Sequence, residues 1–162
     1  MQINSQRFGI VELEDDAVLN FPTGIVGFGR ERAFALIPHP GSSYLAWLQS
    51  VTTPELAFPV VSAHAFADKY PDVAVGAAAH AAGVAGNDED FAVLVVLCAP
   101  IGQAATVNLL APVVVNAQTR TGAQVILEGT RFSTREVFVL PQQPERVSQS
   151  DHSEPVVALA AG

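Results

Sequence analysis

The chain has 162 residues, of which 49% are apolar and 15% charged, and eight Lys and Arg against sixteen Asp and Glu give a formal charge of -8. That length suits one domain with a real core, and the composition describes a folded body rather than a disordered chain. The acidity excludes a phosphate-neutralising nucleic-acid surface and an anionic membrane surface, and it favours a basic protein partner.

The single cysteine, Cys98, excludes an intrachain disulfide and fits a reducing compartment. Residues 1–7 contain no basic stretch followed by an apolar one, so no secretory signal is expected. The longest apolar runs are about ten residues, against the roughly 20 a spanning helix needs. A cytoplasmic protein is the expectation, and a monomer is favoured.

Turn signals recur about every ten residues between β-branched and aromatic runs, which predicts a mainly antiparallel all-β sandwich or barrel. Strands are expected over 2–8, 10–13 and 17–21. The Gly-dense stretch 22–29 should be irregular, and 30–32 forms a single helical turn. Strands follow over 33–37 and 44–50, the latter with Leu45, Trp47 and Gln49 on one face. After a turn at 52–55 comes a strand over 57–62, in which Pro59 predicts an edge or a bulge.

The Ala-rich region 63–86 carries one or two short helices, at 64–69 and 74–83, with Gly83 or Gly86 as the C-terminal cap. An acidic loop at 87–90 leads into 91–99, a continuous apolar run that reads as a central strand covered on both faces. Strand pieces follow over 105–110 and 113–116. A hairpin turn at 119–122 then leads to a strand over 123–127 that pairs back, and a last strand covers 131–140. The expected organisation is one β domain over 1–140 and a disordered tail over 141–162, in which 156–161 could become a short docking segment.

Catalytic chemistry finds little support. The four histidines lack metal-ligand spacing to one another or to Cys98, and Cys98 sits inside an apolar run, where packing explains it. There is no Gly-x-Ser-x-Gly elbow and no dinucleotide or phosphate-loop fingerprint. The acidic runs Glu12–Asp16 and Asp88–Asp90 read as solvated loops that steer a partner. No catalytic, cofactor or metal site is expected.

Three segments stand out: the apolar loop from Phe21 to Phe28, the turn carrying Pro54, Leu56 and Phe58, and the run Asn108-Leu-Leu-Ala-Pro112-Val-Val-Val-Asn116. Turn chemistry suits Asn116 at a strand end. From the residues alone the chain is a soluble all-β domain, best read as a binding module.

The same segments carry a resemblance. Phe21-Pro-x-Gly24-Ile25-x-Gly27-Phe28, Arg32-x-Phe34-x-Leu36, Leu48-Gln49-Ser50, Pro54-x-Leu56-x-Phe58, Phe66-x-x-x-Tyr70, the Asn108–Asn116 run and Gln124-Val-Ile-Leu127 stand in order over residues 2–130. Together they resemble the bacterial flagellar assembly factor family, FliW. The resemblance implies a non-enzymatic cytoplasmic protein with a small antiparallel β-barrel-like domain and no cofactor.

It also implies two partners, flagellin and the RNA-binding translational regulator CsrA. Binding CsrA would relieve repression of flagellin synthesis, and accumulating flagellin would reverse this by taking the factor away. The Ala-rich stretch 74–86 and the tail 141–162 depart from the family pattern. The alternatives are a flagellin chaperone without a regulatory role, and a small ligand-binding barrel or an enzyme built on an acid pair. The expected partner-binding residues are Thr53, Pro54, Glu55, Leu56, Phe58, Asn108 and Leu110. The corner Thr53–Phe58 would supply an apolar anchor beside a charge, unless alternation turns Leu56 and Phe58 into the core.

Overall fold

The structure, a computed structural model, describes residues 1–66 and 75–139. Eleven strands are assigned among them: β1 (Gln2–Ser5), β2 (Gly9–Glu12), β3 (Val18–Asn20), β4 (Ala33–Pro38), β5 (Leu45–Ser50), β6 (Ala57–Ser62), β7 (Ala92–Cys98), β8 (Thr106–Val107), β9 (Val113–Asn116), β10 (Thr121–Gln124) and β11 (Glu136–Val137). One helix, α1 (Gly76–Ala81), joins three single 3-10 turns.

Strands β3-β4-β5-β6-β7 form an antiparallel meander. β9 then pairs with both β7 and β10, and β10 meets β3 in parallel at Asn20 and Thr121. The seven strands therefore close on themselves, which removes the free edges an open sheet would expose. β1 and β2 form a separate hairpin. β8 and β11 extend outward from the end of β7.

The pleat explains the continuous apolar runs, because successive side chains on one strand point to opposite faces. Val60, Leu94, Val113 and Val115 join Leu19, Phe21, Phe34 and Leu48 in one buried cluster, inside the barrel. Their neighbours Val61, Val95 and Val114 belong to a second cluster outside it, with Phe66, Ala79, Val84, Val107 and Phe138. Strand β7 is thus covered on both faces through Val95, as its sequence predicts, but Cys98 at its end is exposed rather than packed in the core.

Several expectations shift. The first strand stops at Ser5, because the Ser5 hydroxyl accepts the Arg7 and Phe8 N–H groups and turns the chain. The stretch 30–32 is a turn rather than a helical turn, with Glu31 N–H bonded to the Phe28 carbonyl. β6 is neither an edge nor bulged. It lies between β5 and β7, and Pro59 pairs with Trp47 where the β7 ladder has already ended at Val60, so its missing N–H falls at a ladder end.

Helix α1 is shorter than predicted, beginning at Gly76. It ends as expected, because Gly83 (φ +96°) lets Gly83 and Val84 N–H return to the His80 and Ala79 carbonyls. Residues 63–66 make a single 3-10 turn, and the remainder of the 64–69 prediction lies outside the described residues. So do Ala74, Leu140 and the whole 141–162 tail.

The 105–110 strand reduces to Thr106–Val107, because the Asn108 side chain captures the next turn. The strand pairing back to β9 is Thr121–Gln124, two residues earlier than predicted. Its hydrogen bonding continues through Val125 N–H to Pro112 O and Leu127 N–H to Leu110 O. The last strand contracts from 131–140 to Glu136–Val137.

Candidate apolar groove and polar corner

The loop between β3 and β4 begins inside the barrel and ends on its surface. Phe21 is fully buried and meets Phe34 edge to face at 5.1 Å. Gly24 follows in the left-handed region at φ +68°, where an added Cβ would stand 2.6 Å from the Phe28 carbonyl oxygen, so only glycine fits. Ile25 is buried in the barrel cluster, while Val26 and Phe28 are 63% and 42% exposed.

Two polar side chains fix this loop. Gln124 on β10 accepts the Val26 N–H through Oε1 (2.9 Å) and donates from Nε2 to the Ala111 carbonyl (3.0 Å). Arg32 donates from Nε to the Gly29 carbonyl and from Nη1 to the Pro22 carbonyl. An aromatic series runs inward from the loop: Phe28 stands edge to face on Phe58 at 5.3 Å, and Phe58 tilts against Phe34 at 6.2 Å.

Beside the loop opens a groove of about 450 Å³, walled by Ile25, Val26, Phe58, Val96, Cys98, Thr106, Asn108, Leu110, Ala111, Gln124, Ile126 and Thr134. Its wall is mostly apolar, with hydroxyls and amides at intervals. Asn108 accepts the Leu110 and Ala111 N–H groups at 3.1 and 3.0 Å, an Asx turn that starts the run into β9. Asn116 repeats the device at the other end of that run, accepting Gln118 and Thr119 N–H. No carboxylate, imidazole or ammonium lines the groove, and the Cys98 thiol is its one ionisable side chain. Its chemistry is that of an apolar recognition site with a few polar fixing points.

A second, different place lies at the turn after β5. The Glu31 carboxylate accepts the hydroxyls of Ser50 (2.7 Å), Thr52 (3.1 Å) and Thr53. These hydrogen bonds, the one from Thr53 foremost, hold its carboxyl below the usual carboxylate range against a smaller opposing effect of desolvation. Fully buried Gln49 accepts the Ser5 hydroxyl at 2.8 Å and points its amide nitrogen at the carbonyls of Ser50, Thr53, Pro54 and Leu56. Gln6 N–H bonds the Pro54 carbonyl, and Arg7 stacks on Trp47 with its Cζ 3.9 Å from the ring centroid. Gln6, Arg7, Gln49, Pro54, Glu55 and Ala57 enclose a polar depression of about 340 Å³.

The seven expected residues therefore fall in two places. Thr53, Pro54 and Glu55 stand at the polar corner, with Glu55 exposed. Phe58, Asn108 and Leu110 meet across the groove. Leu56 is half-buried against the barrel cluster, as is Phe58, because the antiparallel pairing of Leu48 with Phe58 directs that face inward. The sequence reading missed Glu31, whose partners stand about twenty residues away. Val26, Gln124 and Ile126 lie in segments that carry the resemblance but were not among the expected site residues, nor was Val96; the β6–β7 pairing, the β9–β10 hairpin and the Val26–Gln124 hydrogen bond bring them to the groove.

Among the described residues there is no group of three or more His, Cys, Asp and Glu able to hold a metal, and no helix long and apolar enough to cross a membrane. The fold and this groove define a class of structure: a closed, mainly antiparallel β-barrel with an apolar groove in its wall. Residues 2–138 match the family model "FliW protein". A flagellar assembly factor FliW of Heliobacterium modesticaldum is 38% identical over 136 residues, covering 83% of this chain and 88% of that protein. Its counterpart from Bdellovibrio bacteriovorus is 36% identical over 160 residues, covering 98% and 88%. A crystal structure of the flagellar assembly factor FliW superposes with a TM-score of 0.75 at 29% identity, covering 91% of this chain and all of that one. The chain belongs to the FliW family of flagellar assembly factors.

Proposed function

We propose that this chain is a cytoplasmic partner-switching regulator that binds flagellin and the translational regulator CsrA. In this reading, CsrA held by the factor does not repress flagellin synthesis, and free flagellin displaces CsrA and restores repression. The observation that carries the reading is the apolar groove at Phe58, Asn108 and Leu110. It is built largely from the segments that carry the resemblance and its wall is mostly apolar, which suits an extended or amphipathic protein segment.

The acidic surface supports the CsrA half. Glu12, Glu14, Asp15 and Asp16 are exposed at the start of the chain, and Asp88 and Glu89 before β7. A regulator that binds RNA presents cationic groups, and opposite fields steer such a partner into encounter.

The test is retention of purified flagellin and purified CsrA on the immobilised chain, each alone and then in competition. Retention of both, with flagellin displacing CsrA, is the expected result. Retention of flagellin alone reduces the factor to a chaperone without a regulatory role. Retention of neither overturns the proposal.

A further inference from the structure

The barrel strands close on one another, but the hairpin beside them keeps an open edge. Met1 and Leu13 exchange both of their backbone hydrogen bonds, at 2.8 Å each way. The register runs from Gln2↔Glu12 to Ser5↔Gly9. Alternation along an antiparallel pair then makes Ile3 and Val11 a bonded pair and leaves Gln2–Glu12 and Asn4–Ile10 as the non-bonded ones. The N–H and C=O groups of Ile10 and Glu12 therefore point away from β1, and those of Gln2, Asn4 and Gln6 point away from β2. Gln6 N–H donates to the Pro54 carbonyl at 2.8 Å, so the outer side of β1 faces the turn after β5. The outer side of β2 faces solvent. Gly9, Ile10 and Glu12 are exposed, Ile10 at 69%, and the outward backbone groups of Ile10 and Glu12 have no hydrogen-bond partner among the described residues.

Exposed edges are commonly blunted by lysine, proline, a bulge or short length. β2 is short, but it has no lysine or proline and its register is unbroken. What stands along it is carboxylate: Glu12, Glu14, Asp15 and Asp16 are all exposed. Of these, only Asp15 has an ion pair among the described residues, with the N-terminal ammonium at 3.5 Å. Alternation puts Ile10 and Glu12 on the solvent face of the hairpin, while Ile3 is buried on the other. The edge thus displays backbone hydrogen-bonding groups, one apolar side chain and unpaired carboxylates, in that order outward from the turn.

We propose that the outer edge of β2 takes an extended segment of another protein as an added antiparallel strand, with an aliphatic residue opposite Ile10 and basic residues opposite Glu12 and beside Glu14. The docking stands on the edge itself and needs neither of the partners named above. Main-chain bonds to Ile10 and Glu12 supply the attachment, and alternate side chains supply the choice of segment. Antiparallel pairing is the more stable arrangement per residue. Charge selects the occupant. A second copy of this chain carries the same charge of -8 and brings no cation to the place. Its Arg7 lies in the hairpin turn, stacked on its own Trp47 with Cζ 3.9 Å from the ring centroid. Its N-terminal ammonium is held by the Leu13 carbonyl and Asp15. A basic segment from a different protein answers the carboxylates that a second copy would repel.

The probe is the peptide acetyl-Lys-Thr-Lys-Thr-Val-Thr-amide, whose valine would stand opposite Ile10 and whose second lysine would stand opposite Glu12. Amide hydrogen exchange in the full chain reads the docking residue by residue. Saturating peptide should slow exchange at Ile10 and Glu12 by about fivefold or more, and leave Val11, already bonded within the hairpin, unchanged. Methylating the valine nitrogen removes its donor to the Ile10 carbonyl and should raise the Kd about fivefold. Glutamates in place of both lysines should raise it about tenfold at low salt, a gap that closes at about 1 M salt. Glu12→Lys should narrow the same gap. Ile10→Pro removes the outward N–H and leaves the ladder to β1 intact, because Ile10 is not in one of its bonded pairs, and it should weaken the peptide about fivefold.

Unchanged exchange at Ile10 and Glu12, or a methylated peptide that binds as well as its parent, would overturn the proposal. Equal binding of the lysine and glutamate peptides would do so too, since the carboxylates would then only keep the edge away from other edges. Protection of Ile10 and Glu12 that appears without peptide and grows with the chain's own concentration would give the edge to a second copy instead. Should Ile10→Pro fail to fold, the methylated peptide makes the same test on the unaltered chain. Because neither flagellin nor CsrA is in the assay, a negative result leaves the flagellin reading of the groove standing, and failure to retain flagellin leaves the edge result standing.

Discussion

The groove and the polar corner adjoin the same strand, β6, and are built in opposite ways. At the corner, Glu31, Ser50, Thr52, Thr53 and Gln49 hydrogen-bond one another and the turn's carbonyls, so most of its polar capacity is used in holding its own shape. At the groove, the polar side chains sit at the margins and fix backbone, as Gln124 and Asn108 do, while apolar side chains face outward. A satisfied polar network makes a rigid support, and exposed apolar surface held by such a frame makes a recognition site. Pro54 stands at the polar corner while Leu56 and Phe58 pack against the barrel cluster, although the three are neighbours in sequence.

The comparison is broken most severely at Gly24. Gly24→Ala puts a side chain at φ +68° with its Cβ 2.6 Å from backbone oxygen. The left-handed conformation alone costs about 1–2 kcal/mol for a residue with a side chain. With the backbone contact added, the loss is about 2 kcal/mol or more, a fall in Tm of about 4–8 °C for a chain of this size. The loop bearing Val26 and Phe28 should shift with it, and retention of partner should fall in parallel. Thermal melting together with the retention assay checks both.

Ile126→Asp separates binding from folding. Ile126 is 54% exposed, so the substitution should change stability by no more than about 0.5 kcal/mol. A charge placed in an apolar groove should weaken partner binding at least about tenfold, mainly through faster dissociation. Normal binding by a folded Ile126→Asp chain would remove the groove from the interface.

Glu31→Gln sharpens the other side. The carboxylate takes three hydroxyl hydrogen bonds, and loss of its charge should cost about 1 kcal/mol at neutral pH. The folded-state pKa is lowered relative to the ordinary value of 4.5, so the charged form contributes stability that is fully present above pH 4.5. That contribution is lost as the pH falls through the folded-state value below it. The Tm gap between the unaltered chain and Glu31→Gln should be constant from pH 7 to about 5 and close in more acidic solution. A gap that widens on acidification would contradict this account.

How much of this was legible in the sequence follows from how far each signal reaches. The double-faced strand β7 was legible because its continuous Val and Leu run is itself the pattern of a strand covered on both sides. The cap at Gly83 and the turn at Asn116 were legible because each needs only residues one to four positions away. Pro59 misled because a proline reads as an edge only when its missing N–H interrupts a ladder, and the point where the β7 ladder stops is not written locally. At the corner the alternation of the sequence left both orientations open, and the pairing of Leu48 with Phe58 turns Leu56 and Phe58 toward the barrel. The groove was half visible: Phe58, Asn108 and Leu110 lie in conspicuous segments, but Val96 joins them through the pairing of β6 with β7, Ile126 through the β9–β10 hairpin and Val26 through its hydrogen bond to Gln124, none of which is written locally.

The smallest expected effect is at Glu55, and it tests whether the corner takes part in recognition at all. Glu55 is exposed and makes no ion pair among the described residues, so Glu55→Lys should leave Tm within the change produced by about 0.5 kcal/mol. The substitution reverses one charge at the rim of the polar depression, and rim charges act mainly on association rate. Association with a basic partner should therefore slow by about two- to fivefold at low salt, with dissociation unchanged. At 1 M salt, where the screening length is about 3 Å, the two chains should associate alike. Ile126→Asp should show the opposite pattern, a dissociation defect that salt does not remove. If Glu55→Lys binds normally at every salt concentration, the corner only supports the fold. If its defect persists at 1 M salt, Glu55 makes direct contact with the partner, and the division between an apolar binding groove and a polar supporting corner no longer holds.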